Sequence, residues 1–547
     1  MSLPRRPKRT FVKVVLATVA MLLLPTLHAA PPKCDSLFPS GGQRGQQIEV
    51  TAAGSFSNWP VSVWVDREGL QVEAGKDKGK FTIQIGEHAN GVYLLRFHDN
   101  EGATSLRPFA VDSLPEVVEA EPNDELNAAQ KITQSAIING RLEKSGDVDG
   151  YAIELTAGQT LVASLDANQT FGSPMDAVLQ ICSADGFVVE QNDDQRGVDP
   201  QIVFTAPGDG TYVVRTFAFP LTPNSSIAFS GAATYIYRLT LTTGAFVDHV
   251  IPLAVQVDKS TDTQLFGWNL AESSSVQIPA ATERNRVFAS HPEFASSVQQ
   301  SVTKDTVIAA VAARSESEPQ SIELPAVVTG RIDAEGKEDV FQVSLTKGTK
   351  LSVQVESDAL GYLLDPLVLL LDAEGNVLAE VDDTNRQRDC ILTHSIPADG
   401  VYRVIVRDVH RNGGLRYVYR MTIGEAKPDF ALSLASDAFV LTLGKELEIP
   451  VAIERKNGFV GEINVQAVEL PAGVRCDVVK SESKGDSSKS VKLVLKTDQG
   501  PVSGAFRVEG IASREQSGQQ DADFAVAGTS ARYWAAWLTV AASTDSK

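Results

Sequence analysis

The sequence predicts an all-β protein, built as a multidomain string of β-sandwiches. Apolar and polar residues alternate over short runs such as GQTLVASLDA, GTYVVRTF and GVYRVIVRD, which is the period of a half-buried strand. Gly, Asp, Asn and Pro separate these runs, and long stretches with helical periodicity are scarce. A chain of 547 residues also exceeds what one core supports, so several domains are expected.

The N-terminus predicts a signal peptide over residues 1–29. Five cationic side chains precede the apolar run VVLATVAMLLL, and LHAA follows it: Arg5, Arg6, Lys8, Arg9 and Lys13. The apolar run is shorter than a membrane span, and the sequence offers no second candidate span. We therefore expect a protein without a transmembrane segment after cleavage, which is secreted, periplasmic or displayed at the cell surface.

The charge balance argues against a nucleic-acid partner. Loss of the signal peptide moves the formal net charge from −20 to −25, and the sequence has no basic stripe with interleaved aromatic residues. A hydrophobic fraction of 43% with 22% charged residues is typical of folded modules. An acidic exported protein is instead suited to calcium.

The cysteines indicate neither a zinc site nor a disulfide framework. Cys34, Cys182, Cys390 and Cys476 lie far apart and form no CxxC pair. One disulfide among them is left open, with its partners unassigned.

One segment of the chain occurs twice. INGRLEKSGDVDGYAIELTAGQTL, from Ile138, matches VTGRIDAEGKEDVFQVSLTKGTKL, from Val328, at an offset of 190 residues. The offset slips by one residue through MDAVLQICSADG and then returns at APGDGTYVV and IPADGVYRV. A weaker likeness joins the segments before each copy, which begin at Phe38 and Ile251. The pattern predicts a duplicated two-domain unit, followed by a different C-terminal module.

The repeated unit, with EAEPND, GDVDGY and APGDGTYVV, resembles the bacterial pre-peptidase C-terminal (PPC) domain, a jelly-roll-like sandwich usually attached to secreted peptidases. The preceding segments resemble IPT/TIG-type immunoglobulin-like domains, and the C-terminal segment GFVGEINVQAVELPAGV is similar to bacterial Ig-like modules. The expected division, after the signal peptide, is an IPT/TIG-like domain at 30–113, PPC-like copy 1 at 114–245, a degenerate IPT/Ig-like domain at 246–315, PPC-like copy 2 at 316–426 and an Ig-like sandwich at 427–547.

Two acidic clusters in copy 1 predict a metal site. Pro122 favours an extended backbone at Glu121, and residues two apart on an extended segment share a face. Ca²⁺ takes roughly six to eight oxygen ligands, which two such clusters can supply. The clusters also resemble the E-x-E-x-N-D segment and downstream aspartates that hold calcium in related collagen-binding domains. That resemblance implies a Ca²⁺ site in copy 1 formed by Glu119, Glu121, Asn123, Asp124, Asp147 and Asp149.

A simpler interpretation of the same residues stays open. Asn123 or Asp124 could cap a short helix over DELNAAQKI, while the glutamates lie in a solvated linker. Copy 2 provides an internal comparison, because its segment SESEPQS retains Glu316 and Glu318 but has Gln320 and Ser321 next, and Lys337 replaces Asp147. A cation among the ligands opposes Ca²⁺, so we expect copy 2 to bind calcium weakly or not at all.

The sequence contains no recognised catalytic motif. HExxH, GxSxG and the P-loop are all absent, and the histidines are scattered. The segment RYWAAWLTV places Trp534 with Leu538 on one strand face and Tyr533 with Trp537 on the other. One face should be core, and the other is a candidate aromatic platform for sugar or protein.

Three functions remain in competition. The first is a noncatalytic exported binding or scaffold protein, whose partner is an extracellular protein or polysaccharide. The second is an accessory or targeting subunit of a secreted peptidase, as the family resemblance implies. The third is an enzyme with an unrecognised site, for which residues 270–315 are the candidate region.

Overall fold

The computed structural model describes residues 30–222, 228–271, 273–282, 284–311, 318–512, 518–526 and 528–542. The predicted signal peptide, residues 1–29, lies outside this range. Strands dominate the described residues, which confirms the all-β class. In this part of the chain no helix has the length and apolar character needed to cross a membrane.

The first module packs two sheets face to face. Its strands are β1 Lys33–Phe38, β2 Gly41–Gln43, β3 Gln47–Ser55, β4 Ser62–Val65, β5 Leu70–Ala74, β6 Lys80–Ile85, β7 Gly91–His98 and β8 Arg107–Asp112. The strand orders are β1-β3-β6-β5 and β2-β8-β7-β4. Phe81 and Phe97 meet between the sheets with ring centroids 4.7 Å apart. Strand alternation therefore creates the core of this module.

Copy 1 is a sandwich of two larger sheets. Its elements are β9 Glu116–Val118, β10 Gln130–Ile132, β11 Ala136–Arg141, β12 Asp149–Leu155, β13 Thr160–Asp166, α1 Asn168–Phe171, β14 Met175–Ser183, β15 Val188–Asn192, β16 Gln201–Thr205, β17 Gly210–Pro220 and β18 Ile236–Thr242. One sheet has the order β10-β12-β17-β14-β15 and the other β16-β13-β18-β11-β9. Strands β9 and β10, which flank the predicted metal segment, thus belong to opposite sheets.

The third module lies between the two copies. Its strands are β19 Phe246–Ile251, β20 Ala254–Gln256, β21 Thr261–Trp268, β22 Ser275–Ile278, β23 Val287–Ser290 and β24 Ser297–Thr303. They form the sheets β19-β21-β22 and β20-β24-β23. Gly54 of β3 and Gly267 of β21, which both come 16 residues after the start of the weakly similar segments, lie where the strand passes close to its neighbour's backbone.

Copy 2 repeats the strand order of copy 1. Its elements are β25 Thr306–Ala309, β26 Gln320–Ser321, β27 Ala326–Arg331, β28 Asp339–Leu345, β29 Lys350–Glu356, a 3-10 turn at Asp358–Leu360, β30 Pro366–Leu371, β31 Val377–Val381, β32 Cys390–Ser395, β33 Gly400–Asp408 and β34 Val418–Glu425. The sheets are β26-β28-β33-β30-β31 and β25-β27-β34-β29-β32. Strand β25 differs from the expected division, which placed residues 306–309 in the preceding domain. It pairs in parallel with β27, as β9 pairs with β11, and so belongs to copy 2.

The C-terminal module is joined to the first module. Its strands are β35 Asp429–Leu434, β36 Ala438–Thr442, β37 Glu446–Lys456, β38 Ile463–Val468, β39 Arg475–Cys476, β40 Val479–Ser481, β41 Ser490–Lys496, β42 Val502–Ala512, β43 Gln519–Ala525, β44 Arg532–Tyr533 and β45 Ala536–Ala541, with a 3-10 turn at Asp486–Ser488. Leu94 and Leu106 of the first module complete its hydrophobic core. The two ends of the chain therefore share apolar packing.

The aromatic residues near the C-terminus do not form an exposed platform. Tyr533 and Trp537 are 5% and 3% exposed, and the Trp64 ring of the first module lies 6.2 Å from that of Trp537. On the other face Leu538 is fully buried, while Trp534 is half-buried beside Tyr533. The prediction of an exposed aromatic platform is wrong, because the first module covers this sheet. All four cysteines are free thiols, so the disulfide left open by the sequence is not formed.

A buried ion pair fastens the first module to the last. Arg96 is fully buried, and its Nη2 atom donates to Asp437 Oδ2 at 3.1 Å. Asp437 also accepts hydrogen bonds from the Leu106 amide at 3.1 Å and the Ser105 hydroxyl at 3.2 Å. Removal of the aspartate would leave a desolvated guanidinium without its counter-ion.

We therefore expect Asp437→Ala to lower the free energy of unfolding by about 3–5 kcal/mol. Urea denaturation followed by Trp fluorescence measures this change, because Trp64 and Trp537 lie at the same interface. Asp498→Ala is the matched control, since Asp498 pairs with Arg475 on the surface and both are more than two-thirds exposed. Equal midpoints for the two variants would contradict the role of the buried pair.

Candidate metal centre

Glu119 is held in place by the backbone of β11. Its amide donates to the Asn139 carbonyl at 3.0 Å, which extends the pairing of β9 with β11 by one residue. Its side-chain Oε2 accepts a hydrogen bond from the Arg141 amide at 2.7 Å. One carboxylate oxygen of Glu119 is thereby fixed, and the other is available to a ligand.

The next residues turn from one sheet toward the other. The Glu121–Pro122 peptide bond is cis, and Glu121 Oε2 accepts a hydrogen bond from the Asn123 amide at 3.1 Å. The Asn123 side chain is fully buried, yet neither its amide oxygen nor its amide nitrogen has a hydrogen-bond partner among the described residues. A buried amide without partners is costly, which indicates that a group outside the protein completes its bonding.

Asp149 begins β12 and is fully buried. Its Oδ2 atom accepts a hydrogen bond from the Tyr237 hydroxyl at 2.5 Å, and the Tyr151 hydroxyl lies 2.5 Å from that of Tyr237. Its Oδ1 atom is also buried and has no partner in the part of the chain that the structure describes. The two tyrosines thus orient the carboxylate and leave one oxygen for the site.

Three of the predicted residues meet at this point. Glu119, Glu121 and Asp149 each offer a carboxylate oxygen within 4.8 Å of the other two. Burial raises the pKa of Glu119 to about 7 and that of Asp149 to about 9, and the Glu119 charge raises the Asp149 pKa further. Burial also raises the pKa of Glu121. Burial thus favours the neutral, protonated form of these carboxyl groups unless a positive charge lies beside them.

The other two aspartates shape the turn beside the cluster. Asp147 is buried, and its Oδ2 accepts a hydrogen bond from the Glu143 amide at 2.5 Å, while Lys144 Nζ lies 3.9 Å from Oδ1. Asp124 Oδ1 accepts a hydrogen bond from the Val148 amide at 3.4 Å. Both side chains therefore bond to the 143–148 turn and are not members of the carboxylate cluster.

The donor set fits a hard cation. Carboxylate oxygens of Glu119, Glu121 and Asp149 lie together, the buried Asn123 amide and Asp149 Oδ1 lack partners, and the cluster contains no sulfur or imidazole ligand. Oxygen ligands of this kind suit Ca²⁺. The helix of the simpler interpretation does not form, since residues 126–128 make a turn and β10 begins at Gln130.

Sequence reasoning missed two residues that the site requires. Tyr237 lies 88 residues from Asp149 along the chain, and the sequence indicates only an aromatic residue on a strand, although its hydroxyl orients Asp149. Gly150 allows the segment around Asn123 to approach β12, because a Cβ at Gly150 would lie 2.9 Å from the Asn123 carbonyl oxygen. The change from Gly150 to Val340 between the copies was the available signal.

The described residues of copy 2 form no such cluster, for reasons that partly differ from those the sequence suggested. The Ala310 amide donates to Thr329, as Glu119 donates to Asn139, so an alanine occupies the Glu119 position. The Gln320 side chain bonds back to residues 309 and 311 as the Gln130 side chain does to residues 118 and 120. SESEPQS is therefore not the structural counterpart of EAEPND, and that alignment was wrong.

The copy 2 residues that were aligned with the predicted ligands do not lie together. Glu318 lies just before β26, and Glu316 is outside the described residues. Lys337 does replace Asp147, and Val340 replaces Gly150 and packs in an apolar cluster of copy 2. Only Asp339 survives of the ligand set, with its Oδ2 accepting a hydrogen bond from the Tyr419 hydroxyl at 2.7 Å. Copy 2 thus keeps the tyrosine–aspartate bond without the carboxylate cluster.

Comparisons with known proteins place copy 1 in a described family. The family model of the bacterial pre-peptidase C-terminal domain matches residues 147–218, which confirms the resemblance seen in the sequence. The matched region begins at Asp147 and ends in β17, so it includes Asp149 and Gly150.

Other known proteins are similar to the chain at low sequence identity. A probable subtilase-type serine protease of Deinococcus radiodurans is 27% identical over 230 residues, which is 42% of this chain and 25% of that protein. The chain thus spans about a quarter of the length of this curated relative. The pre-peptidase C-terminal domain of a Bacillus anthracis collagenase is 13% identical and covers 23% of this chain and 100% of its own, with a TM-score of 0.17. The Sidekick-1 immunoglobulin domains 1–4 are 11% identical, with coverages of 92% and 96% and a TM-score of 0.21.

The pKa of Asp339 predicts a pH dependence of stability. Burial raises the pKa of Asp339 to about 7, from the 3.8 of an exposed aspartate, so between these values the folded protein binds a proton that the unfolded chain releases. Stability from this group is therefore lost as the pH rises through that window. We expect the unfolding free energy of the wild type, relative to Asp339→Asn, to fall by about 2–4 kcal/mol between pH 4 and pH 7.5.

Urea denaturation of both proteins across this pH range measures the difference. The variant removes only the titrating carboxyl group and keeps an amide oxygen that can accept a hydrogen bond from the Tyr419 hydroxyl. Parallel stability curves for the two proteins would show that folding does not raise the pKa of Asp339.

Proposed function

We propose that this chain, which contains a bacterial pre-peptidase C-terminal domain, is a noncatalytic exported binding or scaffold protein with one Ca²⁺ site in copy 1. Its partners would be an extracellular protein or polysaccharide, and it would be secreted, periplasmic or displayed at the cell surface. The family match and the acidic composition support the extracellular assignment. The convergence of three carboxylates beside a buried, unpartnered Asn123 amide supports the calcium site.

Glu119, Glu121, Asn123 and Asp149 would hold the ion through side-chain oxygens. Asp124 and Asp147 would act beside it, since their hydrogen bonds fix the turn that carries Asp149. The bound ion would supply positive charge that offsets three neighbouring carboxylates. It would also join β9, which leads into Glu119, to β12, which begins at Asp149, and these strands lie in opposite sheets. Calcium would therefore stabilise copy 1 across its core.

Calorimetric titration of the chain without residues 1–29 tests this proposal. We expect one Ca²⁺ per chain and a higher melting temperature in calcium than in chelator, because the ion binds only the folded state. Asp149→Asn should remove both effects. Asp339→Asn is the matched control at the same position of copy 2, and it should retain both. Equal melting temperatures of the wild type in calcium and in chelator would refute the site.

A second candidate is supported by the subtilase-type relative. Its 230-residue match supports the hypothesis that the chain is an accessory or targeting subunit of a separate secreted peptidase. Affinity purification of the tagged chain from culture medium, with and without calcium, separates the two functions. Stoichiometric recovery of a peptidase would favour the accessory role. Recovery of the chain alone, with binding to cell-wall or matrix material, would favour the scaffold role.

A further inference from the structure

Copy 1, the third module and copy 2 meet around a continuous cleft. It consists of two adjoining cavities of about 410 Å³ and about 290 Å³, and Gln201 lines both of them. We call the larger one the arginine cavity, because Arg196, Arg416 and Arg420 line it. The smaller one is the tryptophan cavity, lined by Trp268. The cleft lies outside the metal centre, and the proposed calcium function does not use it.

The arginine cavity is positively charged along its lining. Arg416 is 5% exposed and is held rigidly, with Nε 2.9 Å from Asp248 Oδ1 and Nη2 donating to the Gly361 carbonyl at 2.6 Å. Its Nη1 atom donates to the Gln195 carbonyl of copy 1. This one side chain therefore contacts all three modules and fixes the shape of the cavity.

The counter-ions of the other two arginines lie behind the cavity wall. Arg196 pairs with Asp166 at 2.9 Å and Arg420 pairs with Glu356 at 2.8 Å, and neither carboxylate lines the cavity. Among the described residues that do line it, Asp248 is the anion facing three guanidinium groups. Guanidinium groups bind carboxylates through paired hydrogen bonds. The lining thus favours a ligand that carries a carboxylate.

The tryptophan cavity combines an aromatic face with amide side chains. Trp268 is the last residue of β21 and is half-buried. Its ring centroid lies 6.1 Å from that of Phe246. The rest of the lining is formed by Glu190, Gln191, Asn192, Gln195, Gln201, Ile202 and Val203. We call the four amide side chains, Gln191, Asn192, Gln195 and Gln201, the amide strip. An aromatic ring offers an apolar surface to the face of a sugar, and amides both donate to and accept from hydroxyl groups.

The copies again provide an internal comparison. The amide strip of copy 1 corresponds to Glu380, Val381, Thr384 and Ile391 in copy 2. Ile391 is 45% exposed, whereas Gln201 is 5% exposed against the third module. The amides are therefore not required by the fold, since the same strands form without them. They occur only where Trp268 and the arginines lie nearby.

We propose that this cleft binds a short acidic saccharide of the uronic-acid class. One sugar ring lies on Trp268, its hydroxyl groups bond to the amide strip, and the carboxylate of a neighbouring ring meets Arg196 and Arg420. The inference rests on the proposed binding function and gives it a site and a ligand class. Calcium binding at Asp149 and saccharide binding at Trp268 remain separately measurable.

The test uses the chain without residues 1–29 in calcium buffer, against oligogalacturonate, oligoglucuronate and oligomannuronate, the neutral parent oligosaccharides, and triglutamate. We expect binding of at least one uronate oligomer, about tenfold or more tighter than its neutral parent. Trp268→Ala should weaken binding about tenfold or more. Gln191→Ala, on the exposed rim, should weaken it by a smaller factor, while the matched Glu380→Ala should leave it unchanged.

Calcium titration of each variant shows whether the chain is folded, because the metal centre is remote from the substitutions. Failure of every uronate oligomer to bind, with calcium binding intact, would overturn the saccharide site and leave the calcium proposal standing. Equal binding by Gln191→Ala, Trp268→Ala and wild type would also overturn it. Triglutamate binding as tight as that of the uronates would assign the cleft to acidic peptides instead.

Discussion

The hydrogen bond from Tyr237 to Asp149 is the interaction on which the metal centre depends. It fixes a fully buried carboxylate at the first residue of β12 and leaves one of its oxygens without a protein partner. Glu119 and Glu121 lie within reach of that oxygen, and burial disfavours their charge. A divalent cation would resolve this conflict, since it would offset the charge and supply the missing bonds at once. The acidic segment is thus consistent with a ligand site rather than with a solvated linker.

Duplication separates what the sandwich requires from what the site requires. Both copies keep the strand order and a tyrosine–aspartate hydrogen bond, so that bond belongs to the fold. Three other positions of the site differ between the copies. In copy 2, alanine replaces Glu119, lysine replaces Asp147 and valine replaces Gly150. The amide strip beside Trp268 also occurs only in copy 1. Copy 1 has accordingly become the chemically specialised copy, and copy 2 supports the third module and the arginine cavity.

Much of this could be predicted from the sequence, and the reasons for success and failure are physical. Alternating apolar residues and the 190-residue offset are local patterns, so they indicated the strands and the repeat. Glu119, Glu121 and Asp149 were predicted as ligands from their residue types and close spacing within the two acidic segments, and the structure brings these three carboxylates together. Tyr237 was missed, because its contact with Asp149 is made by tertiary pairing. The SESEPQS alignment failed because a similar run of residues occurs at a different structural position. Trp537 was a candidate for an exposed platform because nothing in its local sequence indicates that Trp64 covers it.

The modules also depend on one another. Buried arginines cross the boundaries between them, with Arg96 joined to Asp437 and Arg416 joined to Asp248. A crystal structure grown in calcium tests the central claim most directly. The account predicts one ion bound by oxygens of Glu119, Glu121, Asn123 and Asp149, and no ion at Asp339. An ion elsewhere, or an Asn123 amide satisfied by protein groups with no ion beside it, would contradict the account.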